Sequence, residues 1–272
     1  MNGIIVVNKP SGMTSRDVVN RLSKILKTKK IGHTGTLDPI AEGVLVCLIG
    51  KYTKLSSHIT SETKEYIASF DIGYETDTLD NTGNIINRSK NDISEDELVS
   101  VINSMNITYD QEVPIYSAVK IDGHKLYEYA RNNKEVSLPK RRVTIYNIEY
   151  IGNHKFKCLV SKGTYIRSLI RDIGHKLNNF MTMTSLTRTK QGIFDINNSY
   201  TLDDIEKGNY KILSAEDIYK TVDIDENMYN KVSNGGKIKL DSDEDIVALK
   251  YNDNIVCLYK KDNDIYRMLI KF

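Results

Sequence analysis

The segment GHTGTLDPIAEG, Gly32 to Gly43, gathers residue types suited to chemistry: His33, Asp38 and Glu42, set among three glycines and a proline. A carboxylate fixed between Leu37 and Pro39 could act as a nucleophile or a base, tasks that need an ionised group held in one place. Asp before Pro is also a common turn residue, and at this level both readings stand. The glycines do not make a phosphate loop. A P-loop needs G-x-x-x-x-G-K-[ST], and Gly50-Lys51 is followed by Tyr52. Gly32-x-x-Gly35 alone is no dinucleotide fingerprint. His33, Asp38 and Glu42 match no zinc or calcium pattern, so a catalytic metal is not expected. No G-x-S-x-G elbow supports a hydrolase triad. Elsewhere, Arg167 falls in a helical pattern and Tyr66 in a strand-like one. By residue type alone these are a surface or salt-bridge arginine and a core or edge tyrosine.

Such residues need elements to place them. GIIVV, Gly3 to Val7, reads as a short buried strand, and NKPSGMT follows as a turn. Thr14 or Ser15 can cap a helix running to about Thr28, with Val18, Val19, Leu22, Ile25 and Leu26 on one face. The basic residues of that helix lie mostly elsewhere and can face a ligand. Strands are expected at Val44 to Ile49 and near Glu62 to Gly73, with a polar loop after the second. Ser94 to Glu97 is a capping box opening a helix to about Ser104. PIYSAVKIDG suggests a strand ending at an Asp122-Gly123 turn, followed by a short helix. Arg141 to Ser161 alternates around Gly152-Asn153, a hairpin signature. KGTYIRSLIRDIGHKL predicts a glycine-led helix with Ile166, Leu169, Ile170, Ile173 and Leu177 as its apolar stripe. Arg167 lies beside that stripe in the first turn. A strand near Ser185 to Phe194 and a short helix near Leu202 to Lys207 follow. Beyond Val222, short alternating runs at Lys237–Leu240, Ile246–Tyr251, Ile255–Lys260 and Ile265–Phe272 read as a small β meander. The fold class is α+β, without regular βαβ alternation.

Composition fits this picture. The chain has 272 residues, 40% apolar and 27% charged, the balance of a soluble protein with room for a sizeable core. Net charge is only +2, yet basic residues cluster at Arg21 to Lys30 and at Lys140 to Arg142. Local basic blocks fit a protein that grips a polyanion on one face, or simply a solvated surface. The three cysteines, Cys47, Cys158 and Cys257, are far apart and form no C-x-x-C. A reducing, cytoplasmic setting is expected. The N-terminus has no signal-peptide pattern, and the longest apolar run, Val44 to Ile49, is too short to span a bilayer.

GHTGTLDPIAEGVL closely resembles the signature loop of the bacterial tRNA pseudouridine-55 synthases. GIIVVNKPSGMTSRDVV resembles the N-terminal motif of that family, and KEYIASFDIGYETDTLDNTG its tyrosine-bearing strand and loop. YSAVKIDGHKLYEYAR, SKGTYIRSLIRDIGHKL and LTRTKQGIF are similar to further blocks, in the family's order, from about Gly3 to Phe194. The resemblance implies a pseudouridine synthase fold: a mixed, largely antiparallel central sheet flanked by helices and loops. It implies a catalytic domain at 1–221 and a small β-rich, PUA-like RNA-binding domain at 222–272. It also implies isomerisation of one uridine in the T arm of tRNA, without a cofactor or obligate protein partner, by a monomer not bound to membrane. Matched residue by residue, Asp38 is the essential carboxylate and Arg167 the arginine that pairs with it, favouring its ionised form. Tyr66 stacks on the target base and is placed to remove the carbon 5 proton. His33 helps hold the flipped nucleotide, and Tyr165 and Leu186 line the uracil pocket. Glu42 and Ile115 depart from the family's usual residues without touching these roles. Two alternatives differ in class: an RNA chaperone without chemistry, and an enzyme directed to another RNA by guide proteins.

Overall fold

Strands Gly3–Lys9 and Glu42–Ile49 are almost continuously apolar because both of their faces are covered. They pair antiparallel from Gly3↔Ile49 to Lys9↔Gly43. On one face, Ile5, Val7, Leu45 and Cys47 pack against Val18, Val19 and Leu22 of helix Ser15–Ile25. Thr14 caps that helix by accepting the Asp17 amide, while the Asp17 carboxylate accepts the Thr14 amide. On the other face, Ile4, Val6, Val44 and Val46 share a core with Ala248, Leu258 and Ile270 near the C-terminus. The computed structural model describes Met1 to Phe272.

The main sheet runs, edge to edge, Gly3–Lys9, Glu42–Ile49, Met181–Gln191, Lys64–Ile72, Lys155–Val160, Lys140–Gly152 and Thr108–Glu112. Ile31–His33 and Phe194–Asp195 pair beside this path. Neighbours along the path are antiparallel except where Thr187 and Arg188 meet Glu42 and Gly43 in parallel. Helices Ile166–Lys176 and Glu95–Ser104 cover one face and bury Leu169, Ile170, Ile173, Leu98 and Ile102 against Phe70, Phe156 and Met183. Leu37 and Ala41 belong to this same core, so the Asp38 loop is anchored in it on both sides.

Gly43 makes the parallel junction possible. Its φ is +97°, and a Cβ there would strike the Arg188 backbone carbonyl. Gly43→Ala is expected to destabilise the protein by well over ~1 kcal/mol, since neither the backbone angle nor the contact can relax cheaply. Urea unfolding checks this; an unchanged midpoint would contradict it.

Most sequence-predicted elements hold with shifted ends, and four readings need correction. Of PIYSAVKIDG, only Lys120–Ile121 is a strand, paired across the Asp122-Gly123 turn with His124–Lys125. Residues 114–119 run irregularly because their backbone groups serve other partners, including Arg167 and helix Leu126–Arg131. Lys237–Leu240 is not a strand; it contributes one bridge, Ile238↔Tyr266. The strand expected at Ser185 starts at Met181 and breaks after Gln191. The C-terminal sheet orders Lys220–Asp223, Ile246–Tyr251, Asn254–Asp262 and Ile265–Lys271, so it begins before Val222, and helix Glu226–Ser233 packs with it through Val232. No helix is long and apolar enough to cross a membrane.

Candidate active site

The Asp38 loop is stitched down residue by residue. The Ser15 hydroxyl accepts the Leu37 amide at 2.9 Å and lies 3.2 Å from the Leu37 carbonyl, to which it donates. The Pro39 carbonyl accepts the Gly12 amide at 2.8 Å. The Ser11 hydroxyl donates to the Ile40 carbonyl at 2.9 Å. On the far side, Arg188 Nη2 donates to the Gly35 carbonyl at 3.1 Å, and Gln191 Nε2 binds both oxygens of Thr34. The turn NKPSGMTS and the strand TRTKQ are therefore the two jaws that fix this loop. Lys9 belongs to the first jaw: it is buried, and its Nζ donates to the Pro10 and Met13 carbonyls. Burial pushes its pKa down to about 8, against the pull of the Asp38 charge.

Arg167 meets Asp38 in a two-pronged ion pair, Nε to Oδ2 at 2.9 Å and Nη2 to Oδ1 at 3.2 Å. Two further donors are occupied: Nη1 binds the Thr78 carbonyl at 2.7 Å and Nη2 the Tyr116 carbonyl at 3.0 Å. Asp80 stands 3.9 Å from Nη1. Sequence reasoning missed Asp80 and Thr78. Asp80 accepts the Thr78 and Thr82 hydroxyls and the Thr82 amide, and Leu79 sits at φ +63°, which turns the Thr78 carbonyl toward the guanidinium. The density of Asp and Thr in TDTLDNT was the available signal for a side-chain-tied turn.

The two partners differ in exposure. The Arg167 side chain is 5% exposed and Asp38 33%. The guanidinium is thus a buried support, and the carboxylate is its open end. Asp38 faces a cleft of about 630 Å³. Tyr66, Tyr165, Leu186 and Arg167 line it too, so five of the six sequence-predicted site residues meet there. His33 is not among the lining residues; it sits half-buried on strand Ile31–His33, paired with Cys47. Burial lowers its pKa, and the nearby Arg16 and Arg188 lower it further. Cross-strand pairs Tyr66↔Arg188 and Ala68↔Leu186 bring the tyrosine and leucine side by side on one face of the sheet. Burial raises the Tyr66 pKa despite the opposing Arg188 guanidinium, so the phenol is neutral at pH 7. Tyr165 is fixed through its backbone, which exchanges two hydrogen bonds with the Gln111 amide group at 2.8 and 3.1 Å.

Charge distinguishes this cleft. Its lining holds Lys64, Arg141, Arg142, Lys162, Arg167 and Arg188 against Asp38 as the single acid. Two larger clefts, about 840 and 690 Å³, hold neither Asp38 nor Arg167. The basic block at Lys140 to Arg142 thus reaches the cleft, whereas Arg21 of the other block is engaged by Glu206 at 2.7 Å and Asp203 at 3.5 Å. An isolated, oriented carboxylate in an electropositive hollow with flat and apolar walls suits a ribonucleotide unit of a polyanion.

Known proteins give the same answer. Residues 23–166 match the family model described as TruB family pseudouridylate synthase, N-terminal domain. The tRNA pseudouridine synthase B of Caldicellulosiruptor saccharolyticus is 40% identical over 100% of this chain and 98% of its own. That of Clostridium tetani is 44% identical over 97% of this chain and 94% of its own. Among solved structures, a chain of a Cbf5-Nop10-Gar1 complex superposes with a TM-score of 0.70 at 25% identity, covering 99% of this chain and 85% of that one. The loop, the ion pair and the full-length similarity converge, and the chain belongs to the TruB family of pseudouridylate synthases.

Proposed function

We infer that this protein isomerises uridine 55 in the T loop of tRNA to pseudouridine, as a cytoplasmic monomer that needs no protein partner. The observation that carries the reading is Asp38, gripped by Arg167 at 2.9 and 3.2 Å and open to an otherwise cationic cleft. The target base leaves its stack and enters between Tyr66, Tyr165 and Leu186, flat and apolar walls that replace stacking lost in the RNA. Asp38, as the single carboxylate lining the cleft, meets the ribosyl unit. The bond from the anomeric carbon to nitrogen 1 breaks, the base turns, and the anomeric carbon bonds to carbon 5. The reaction is an isomerisation, so the carbon 5 proton ends on nitrogen 1. A neutral Tyr66 phenol can take that proton only while handing its own onward. It acts as a relay rather than a standing base.

Carbodiimide-based mapping of T-arm RNA after incubation tests the reading: a single stop at position 55 is expected, and unmodified RNA would refute it. Binding should depend on salt through the cleft cations. Arg141 has no carboxylate within ion-pairing distance, although it lines the cleft. Arg141→Ala is therefore expected to weaken RNA binding and to lower the slope of log K against log salt by about 0.7 to 1. Filter binding across a salt series reads this, and an unchanged slope would remove Arg141 from the phosphate contacts.

A further inference from the structure

We propose that the Ser117 hydroxyl is a positioning contact for the target base, donating a hydrogen bond to one carbonyl of the extruded uracil. This rests on the functional reading above.

Ser117 lines the cleft beside Asp38 and Arg167 and is 7% exposed. Its backbone is fully engaged. The amide donates to the Ile115 carbonyl at 2.9 Å, and its carbonyl accepts the Tyr127 amide at 3.2 Å. The preceding carbonyl, on Tyr116, receives Arg167 Nη2. The residue is therefore locked one position from the cation that holds the reactive acid. Only the hydroxyl remains, and it is one of two buried side-chain polar atoms in the protein without a hydrogen-bond partner. A buried, unpaired hydroxyl is costly to leave, so such groups call for a partner arriving from elsewhere. The other orphan, Gln191 Oε1, belongs to a residue whose amide nitrogen binds the Thr34 carbonyl and which is absent from the cleft lining.

Charge and shape select the class of partner. The cationic groups of the lining suit phosphates, and Tyr66, Tyr165 and Leu186 suit the faces of a base. A base edge needs short neutral donors; Thr36, Thr60 and Thr164 also line the cleft, but of the hydroxyls there only that of Ser117 is buried without a partner. Uracil offers two carbonyl acceptors on its edges, and a serine hydroxyl is matched to one of them. A rigid donor of this kind favours one orientation of the base and disfavours others.

The test uses the full chain and T-arm RNAs carrying uridine, 2-thiouridine or 4-thiouridine at the target position. A thiocarbonyl is a poor acceptor. Wild type should lose about tenfold in turnover on one of the two thio substrates, the range of a neutral hydrogen bond. Ser117→Ala should lose about tenfold on uridine, mainly in kcat with RNA affinity kept. It should show no further loss on that thio substrate. Ser117→Cys, a weaker donor of similar size, should fall between. Equal losses for Ser117→Ala on all three RNAs would mark a merely structural residue, or one that binds a water only, and overturn the proposal. So would wild-type-like turnover by Ser117→Ala on uridine. A wild-type protein that makes no pseudouridine from uridine would instead sink the functional reading, and this inference with it.

Discussion

Asp38→Asn is expected to bind T-arm RNA within about threefold of wild type and to lose at least about a thousandfold in pseudouridine formation, as loss of a single essential catalytic group does. The amide matches the carboxylate in size, so the loop held by Ser15, Gly12 and Arg188 keeps its shape. What disappears is the charge at the mouth of the cleft. Binding draws on the cations of the lining, which the substitution leaves in place. Filter binding and carbodiimide mapping on the same preparation read both quantities. Turnover within tenfold of wild type would remove Asp38 from the chemistry.

Arg167→Ala should be the most disruptive single change to the site. It leaves the Asp38 carboxylate and the Thr78 and Tyr116 carbonyls without their donor, and Asp80 without its nearby cation. Breaking a buried ion pair by removing one member costs about 3–5 kcal/mol, and urea unfolding should find a loss of that order. Because Asp38 is one-third exposed, water can recover part of its share, and the lower end is expected. Arg167→Lys should restore much of the stability and little of the activity. One ammonium cannot span two carboxylate oxygens and two carbonyls as the planar fork does. In a double-mutant cycle, Asp38→Asn and Arg167→Ala should combine to less than their summed activity losses, since each disables the same pair. Full additivity would show that they work independently.

Local chemistry was legible wherever it was self-contained. The Ser94 capping box, a cap at Thr14 or Ser15, the Gly152-Asn153 hairpin and the stripe of helix Ile166–Lys176 are written within a few residues each. Motif resemblance singled out Asp38, Tyr66, Tyr165, Arg167, Leu186 and His33 as candidates, and all but His33 line one cleft. What stayed hidden depends on distant partners. Strand Thr108–Glu112 is polar at its exposed edge and carries no apolar alternation. Lys9 falls in the turn NKPSGMT, and carbonyls of that turn draw its side chain inside. The hold of Thr78 on Arg167 needs a left-handed leucine, a conformation no propensity would suggest. Residues 114–119 look like a strand because Ile115 and Val119 are β-formers. Their hydrogen bonds go instead to a helix and an arginine.

The parallel junction at Gly43 also bears on the order in which the molecule comes into being. Gly3–Lys9 and Glu42–Ile49 can zip together as soon as both leave the ribosome. Asp38, however, lies 129 residues before its counter-ion, and Glu42 lies 145 before Thr187. At bacterial rates of synthesis, the first gap alone corresponds to roughly ten seconds of translation. Through that interval Asp38 exists without its cation, and the wall that carries Leu186 has not been made. No nascent chain that stops before Met181–Gln191 can complete the cleft, because the last strand to line it is also the one that closes it.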